Sequence, residues 1–441
     1  MGSFAGAILF GTVLLRLPFA AGAGAVSLLE AFFTATSAVC VTGLTVVDTG
    51  TRFSPAGQVI ILALIQAGGL GIMTYAVFVS LLLGRDVSFT DRRVIQDSLH
   101  HSPTPELVRL VRHVLVFTAG AEALGAGLLW LRFRQQLPPG QAVWQGVFHA
   151  VSAFCNAGFS LQPDSLVRWR ADLLVNAVVT GLILVGGLGF LVNMELRGQV
   201  EAILRRRRRP PMSLHARLVL VVTAVLLGLG TLAFLGLEWG NLLEGLPPGE
   251  RLLAAWFQAV TPRTAGFNTV DLSQATTATL FVTTLLMMVG ASPGSTGGGV
   301  KTTTLGLITA LLVARWRGRG RATVFKRTIP HAVMDRALSL ALLAAVFVSL
   351  AVALLLVTEG HSVPFDQTRP RFMALLFEAV SAFGTVGLST GVTTSLSSAG
   401  KLVLIVLMFV GRVGPLTLVL AVGPRLEKGR FRYAEENVMV G

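Results

Sequence analysis

The chain has 441 residues, 53% of them hydrophobic and only 13% charged, with a mean hydropathy of +0.71. Soluble domains carry about 25% charged residues, so the composition excludes a soluble globular protein and points to an integral membrane protein. The net charge of +14 gathers in clusters at 85–112, 197–217 (with RRRRRPP), 315–336 and 425–432 and lacks interleaved aromatics, which argues against nucleic acid and for cytoplasmic loops obeying the positive-inside rule.

Long apolar segments at about 4–20, 57–83, 113–131, 171–194, 217–237, 276–290, 335–357 and 400–422 predict spanning helices. The first, GAILFGTVLLRLPFA, reads as a membrane helix rather than a cleavable leader. Between each pair lies a shorter apolar stretch, at 28–40, 142–155, 251–262 and 371–384. Each holds roughly 12 residues, ~18 Å as a helix, which is too short for a ~30 Å hydrocarbon core and suits a re-entrant segment.

Each short stretch runs at once into a small glycine motif: VTGLT (41–45), NAGFS (156–160), TAGFN (264–268) and TVGLS (385–389). FHAVSAFCNAGF and FEAVSAFGTVGL share F-x-A-V-S-A-F and the glycine, and FFTATSAVCVTGL keeps Phe33, Ala35, Ser37 and Gly43 in register. WFQAVTPRTAGF is one residue shorter, so a local adjustment is expected there. Self-similarity decides the reading. The expected fold is an all-α integral membrane protein of four tandem helix–pore-loop–helix units around one pseudo-fourfold pore. The expected units are 1–84, 85–197, 198–315 and 316–441, the last with a cytoplasmic tail. The basic clusters lie opposite the glycine motifs, so the motifs face the exterior. Arg132, Arg134, Arg168, Arg170 and Arg263 fall on the outer side against the trend.

Non-helical backbone is tolerated at membrane depth only where it is buried in protein or lines a watery cavity. Four such segments around one axis would set carbonyl oxygens in rings that replace the hydration shell of a monovalent cation. Glycine permits the required backbone angles. No carboxylate lies within the motifs, against a divalent-cation ring. Cys40 and Cys155 precede the first two motifs and read as small packing residues, with neither disulfide nor metal spacing. No catalytic grouping or phosphate loop stands out, so no enzyme activity is expected.

The stretch GASPGSTGGGVKTTT (290–304) breaks the helix of unit three, because three consecutive glycines and Pro293 oppose helix. The other units are expected to continue as helix at the matching places, QAGGLGIMTYAVF, LVGGLGFLVNMEL and FVGRVGPLTLVLA, with Gly290 aligned to Gly68, Gly186 and Gly411. Arg412 sits deep in an apolar run. An intramembrane charge faces a cavity or a partner, so Arg412 is expected beneath the glycine motifs, as a barrier to cations and a donor to the carbonyls of 290–304. Lys301 is expected to face the cytoplasmic cavity.

SAVCVTGLTVVDTG, FQAVTPRTAGFNTVD, SPGSTGGGVKTTT and FVGRVGP resemble the Trk/Ktr/HKT superfamily of potassium transporters, above all its KtrB-type membrane subunit, over essentially the whole chain. The resemblance implies a selectivity filter at Val41, Thr42 and Gly43; Asn156, Ala157 and Gly158; Thr264, Ala265 and Gly266; and Thr385, Val386 and Gly387. It implies an intramembrane gate of Gly290, Ser292, Pro293, Gly294, Gly297, Gly298, Gly299 and Lys301 with Arg412. Gly43, where some sodium-preferring relatives carry Ser, implies potassium preference. The expected function is potassium uptake across the cytoplasmic membrane, passive or sodium-assisted, with K+ at the filter carbonyls and no covalent cofactor. The alternatives are a less selective K+/Na+ conductor and a secondary transporter of another small solute. The implied partners are a second copy of the chain and a cytosolic, nucleotide-binding KtrA-like ring. Membrane lipid is a further contact of the basic loops.

Overall fold

The computed structural model describes residues 2–22, 24–71, 104–360 and 365–414. Several expectations lie outside the described residues: the helix beyond 71, most of the 85–112 cluster, the boundary at 84/85, and everything after 414, including the 425–432 cluster.

The helices fall into four groups of the same order. The first has α1 (Gly2–Arg16), α2 (Leu28–Val39), the single turn α3 (Thr49–Arg52) and α4 (Pro55–Gly69). The second has α5 (Thr104–Phe133), α6 (Pro139–Phe154), α7 (Leu173–Leu188) and α8 (Phe190–Leu204). The third has α9 (Leu214–Glu238), α10 (Pro248–Val260), α11 (Thr277–Met288) and α12 (Thr302–Trp316). The fourth has α13 (His331–Gly360), α14 (Phe365–Gly384) and α15 (Ser398–Val413). A two-stranded hairpin, β1 (Thr323–Val324) and β2 (Arg327–Thr328), joins groups three and four. The boundaries expected at 197/198 and 315/316 fall inside α8 and at the end of α12, so these elements run on to Leu204 and Trp316.

Among the described residues, three outer helices are long and apolar enough to cross a membrane: Val111–Phe133, Leu214–Glu238 and His331–Glu359. The short helices α2, α6, α10 and α14 have 12, 16, 13 and 20 residues, so the fourth is longer than its apolar stretch suggests. Each inner helix (α4, α7, α11, α15) begins with a side-chain cap, supplied by Ser54, Asp172, Thr276 and Ser397 to a backbone N–H three residues on. These caps fix where the chain turns back inward after each glycine motif.

The inner helix of each group packs on the short helix of the next: α4 on α6, α7 on α10, α11 on α14 and α15 on α2. That closes a ring of four around one axis. The core is a single buried cluster built from all four groups, with Phe33, Phe148, Phe257 and Phe377 of the four short helices all fully buried in it.

The expectation of continuous inner helices in groups one, two and four is corrected. α4, α7 and α15 end before Gly71, Gly189 and Gly414, whose φ angles are +80°, +92° and +91°. Left-handed backbone cannot continue a right-handed helix, and glycine adopts it without a Cβ penalty. After Gly189 the chain resumes as α8 at 111° to α7. The glycines three residues earlier serve packing instead. Gly68, Gly186 and Gly411 each face a backbone carbonyl at the end of their own short helix, that of Val39, Phe154 and Phe383, where a side chain would collide.

Three of the four outer-side arginines of group two, Arg132, Arg134 and Arg168, meet local partners. Arg132 pairs with Asp172 and bonds Gln135. Arg132 and Arg168 flank Trp169, and Arg134 lies over Trp130. Arg263 is not on the outer face. It is 6% exposed and lines a small cleft with Thr223, Gly187 and Ala291, behind the broken segment of group three.

Candidate functional site

Just beyond each short helix one residue turns left-handed, Val41, Asn156, Thr264 and Thr385, with φ between 50° and 67°; in group three the turn 261–263 comes between the helix end at Val260 and Thr264. The residue after that is regular, and the glycine is left-handed again: Gly43, Gly158, Gly266 and Gly387, with φ between 70° and 95°. This alternation turns successive carbonyls the same way, and it recurs at all twelve positions singled out from the sequence. A left-handed β-branched residue is costly, so Val41, Thr264 and Thr385 must be held from behind.

Hydrogen bonds back to the short helix do the holding. The amides of Thr42, Ala157 and Val386 donate to the carbonyls of Ser37, Ser152 and Ser381 at 2.7–2.8 Å, five residues back. In group three Ala265 donates to Thr261, four residues back, at 3.0 Å. That is the local adjustment its missing residue requires. The hydroxyls of the same residues act again: Ser37 and Ser381 accept from the N–H of Gly43 and Gly387 (both 3.1 Å), while Ser152 and Thr261 donate to the carbonyls of Phe159 and Phe267 (2.8 and 2.5 Å).

The four segments meet in sequence order. A Cβ on Gly43 would lie 2.5 Å from the Ala157 oxygen, one on Gly158 2.8 Å from that of Ala265, and one on Gly266 2.6 Å from that of Val386. One on Gly387 would meet the Thr42 oxygen, which closes the circle. The ring therefore presents backbone oxygen and has no room for a side chain at the glycines.

Above it opens a cavity of about 660 Å³ floored by all four glycines. Asp48, Asp164 and Asp271 line this mouth. Hydrogen bonds from Ser273 hold the Asp271 carboxyl below its ordinary value. Two further residues were missed from the sequence. Glu378, fully buried on α14, accepts from the hydroxyls of Ser389 and Thr393 (both 2.6 Å) and from Thr390 N–H (3.0 Å). His149 takes the same place on α6 and meets Ser160 at 3.0 Å. The signal was available: the second position of F-T-A, F-H-A, F-Q-A and F-E-A is where the repeats differ, holding Thr34, His149, Gln258 and Glu378.

Below the ring the break between α11 and α12 spans 289–301. Gly290 N–H bonds the Val300 carbonyl (2.8 Å), which closes the segment into a loop. Gly297 and Gly298 lie against Oγ1 of Thr264 and Thr385, the first ring residues of groups three and four, and Gly298 N–H donates to Thr385 Oγ1 at 3.1 Å. Ser292 N–H bonds Gly187 O (3.0 Å), and Gly294 O accepts from Phe190 N–H (3.0 Å) across the bend between α7 and α8. Arg412, from α15, donates to the carbonyls of Thr296 in the loop and Gly68 at the end of α4. One guanidinium thus joins groups one, three and four. Lys301 differs from expectation: it turns back on the loop and donates to Gly297 O (2.8 Å) and Gly298 O (3.3 Å). Cys40 and Cys155 are buried free thiols, and Cys155 lies where Gly69 leaves no room for a Cβ.

The profile of the TrkH family, described as "Cation transport protein", matches residues 12–432. The chain belongs to that family. It is 38% identical to the Ktr system potassium uptake protein B of Bacillus subtilis over 436 residues, 98% of this chain and 94% of that protein. It is 40% identical to the potassium/sodium uptake protein NtpJ of Enterococcus hirae over 443 residues, at the same coverages. Its fold is that of the potassium transporter TrkH from Vibrio parahaemolyticus, with a TM-score of 0.72, 21% identity, and coverage of 96% of this chain and 84% of that one. The TrkH-family chain described here is thus a multi-pass, largely helical membrane protein.

Proposed function

We propose that this chain takes up potassium across the cytoplasmic membrane through the axis of its four-loop ring. The closure of that ring carries the reading. Four alternating left-handed turns abut one another and leave backbone oxygen, and no side chain, between them. Carbonyl rings suit a dehydrated monovalent cation. The selectivity filter is then Val41–Gly43, Asn156–Gly158, Thr264–Gly266 and Thr385–Gly387, with K+ as the transported ion. The mouth faces the exterior, in keeping with the basic runs at the opposite end.

The loop at 290–304, held by Arg412 and by Lys301, is the gate. A glycine-rich segment beneath the ring can move without repacking the core, and two cations there oppose passage of a third while bonded to its carbonyls. The names of the two relatives support potassium, and that of NtpJ supports sodium as a second or activating ion. The word "system" in the Bacillus name supports an assembly of more than one component. We assign a homodimer seated on a cytosolic nucleotide-binding ring.

Gly43→Ser tests the filter. Its side chain would enter the ring 2.5 Å from the Ala157 oxygen. Growth of a potassium-limited host lacking its own uptake systems should still be rescued, with sodium competing about tenfold better against rubidium, a loss of ~1.4 kcal/mol in discrimination. Unchanged competition removes the assignment. Equal competition by sodium in the unmodified protein would favour the less selective conductor that the NtpJ likeness raises.

A further inference from the structure

The connection between α12 and α13 carries more charge than topology requires. From Thr302 to Met334 there is no acidic residue, while Arg315, Arg317, Arg319, Arg321, Lys326 and Arg327 are all exposed. The five arginines at 205–209, after α8, are exposed too. The start of α9 lies between the two runs. Leu214 packs with Ala314, Ala322, Ile329 and Met334 of the hairpin side, whereas Ala216 and Val219 of the same helix cluster with Val192 and Leu196 of α8. The runs therefore flank one helix end as a single basic face. Among the described residues, the only ion pair within it is Arg205 to Glu201 at 3.0 Å. The neighbouring acids are few: Glu195, bonded to Ser213, and Asp335 on α13.

The depth of this face is marked by Trp316, 88% exposed at the end of α12 one turn after the exposed Leu312. So large an indole uncovered in water is unfavourable, but it suits the headgroup layer. The hairpin folds back on these helix ends through Ala322, Val324 and Ile329. Its tip turns on Phe325 and Lys326, with φ of 47° and 63°. Such two-residue turns favour Asn-Gly. Here an aromatic and a cation occupy them, with Phe325 exposed.

We propose that this face binds the anionic phospholipid headgroups of the cytoplasmic leaflet, with Trp316 and Phe325 seated at the headgroup–acyl boundary and the arginines on the phosphates. The inference rests on the orientation given under Proposed function. Guanidinium groups pair bidentately with phosphate, and basic clusters beside spans hold anionic lipid.

The full-length chain, purified from vesicles of phosphatidylcholine with a third of phosphatidylglycerol, tests this by counting lipids retained per chain in native mass spectrometry. Phosphatidylglycerol should be enriched several-fold over its share. R315Q/R317Q/R319Q/R321Q should return it to that share. F325N/K326G gives the turn its preferred residues, so the hairpin still folds, and retention should fall with the aromatic and the charge. Equal retention by the unmodified chain and both variants overturns the proposal. So does displacement of the lipid by inorganic phosphate but not by chloride at matched ionic strength, which would mark a free-phosphate site. Retention is read without ion flux, so its failure leaves the transport reading standing, and a failed transport assay leaves this one standing.

Discussion

Arg412 offers the sharpest test of the gate, because two explanations of it predict different substitution patterns. If it only repels cations, charge is all that matters. If it ties the loop shut, geometry matters as well, since its guanidinium spans the carbonyls of Thr296 and Gly68 in two different groups. A hydrogen bond from a charged donor contributes ~1.5–3 kcal/mol net. Two at the lower end bias the closed loop by ~3 kcal/mol, about 150-fold in its closed-to-open ratio. Arg412→Ala should remove both and raise rubidium uptake into proteoliposomes until chemistry other than the gate limits it. Arg412→Lys keeps the charge but has one ammonium for two acceptors. It should lose ~1.5 kcal/mol, roughly a tenfold shift. Lysine behaving as arginine would leave only the repulsive role. If Arg412→Ala folds, by its thermal transition, and conducts no faster than the unmodified chain, the loop at 290–304 is not held by this residue.

Two further tests address the ring from behind and from above. Glu378→Gln keeps size but places an amide nitrogen among three donors from Ser389, Thr390 and Thr393. The amide oxygen can still accept from Ser389 and Thr390 while its nitrogen meets the Thr393 hydroxyl, so the loss is the charge-assisted strength of these bonds, ~1 kcal/mol; thermal unfolding should come earlier and rubidium should lose ground to sodium in competition. Unaltered selectivity would make Glu378 structural only. At the mouth, neutralising Asp48, Asp164 and Asp271 together should raise the potassium concentration for half-maximal uptake about two- to threefold at low ionic strength and much less at high salt, as expected of unscreened attraction. A salt-independent change would count against steering. Asp271 also sets a pH limit. Its folded value lies below the ordinary one, so its bonds to Ser273 contribute above the ordinary carboxylate value and are lost as pH falls through the folded one. Thermal stability should therefore hold through mild acid and decline only below it, and Asp271→Asn should flatten that decline.

The fourfold plan was legible because the ring leaves a chemical mark in the chain: an apolar stretch too short to span, a hydroxyl residue, then glycine. Backbone geometry that only glycine adopts cheaply must be written as glycine. The breaks at Gly71, Gly189 and Gly414 are written in the same letters, yet these stretches were expected to continue as helix, because a glycine in an apolar run has two uses. Only the paired spacing, Gly68 with Gly71 and its counterparts, separates them. One glycine meets a carbonyl and the next reverses φ. Arg263 was misplaced for a different reason. Position along a loop gives a side, whereas a short helix that re-enters brings the residues after it into the protein interior, here beside Gly187 and Ala291. Lys301 was sent outward by its charge, yet the loop's free carbonyls lay nearer than solvent.

The residues that differ among the groups share a location. At the ring itself the four backbones are nearly interchangeable, and the missing residue of group three is absorbed by shortening one hydrogen bond from five residues to four. One layer out, the equivalents diverge to Thr34, His149, Gln258 and Glu378, and to Cys40, Cys155, Arg263 and Gly384. Beneath, among the described residues, the loop comes from group three and the arginine from group four. On the proposed pathway the four backbones surround the ion, so a side chain there would unbalance the ring, and the glycines leave none room. A gate has the opposite need. The gate proposed above has one closed arrangement rather than four equivalent ones: a single loop from group three is tied by a single arginine from group four, which also bonds a carbonyl of group one. Symmetry at the oxygens and asymmetry below them are thus two features of the pathway proposed above. A chain carrying four covalently joined, separately mutable units can meet both.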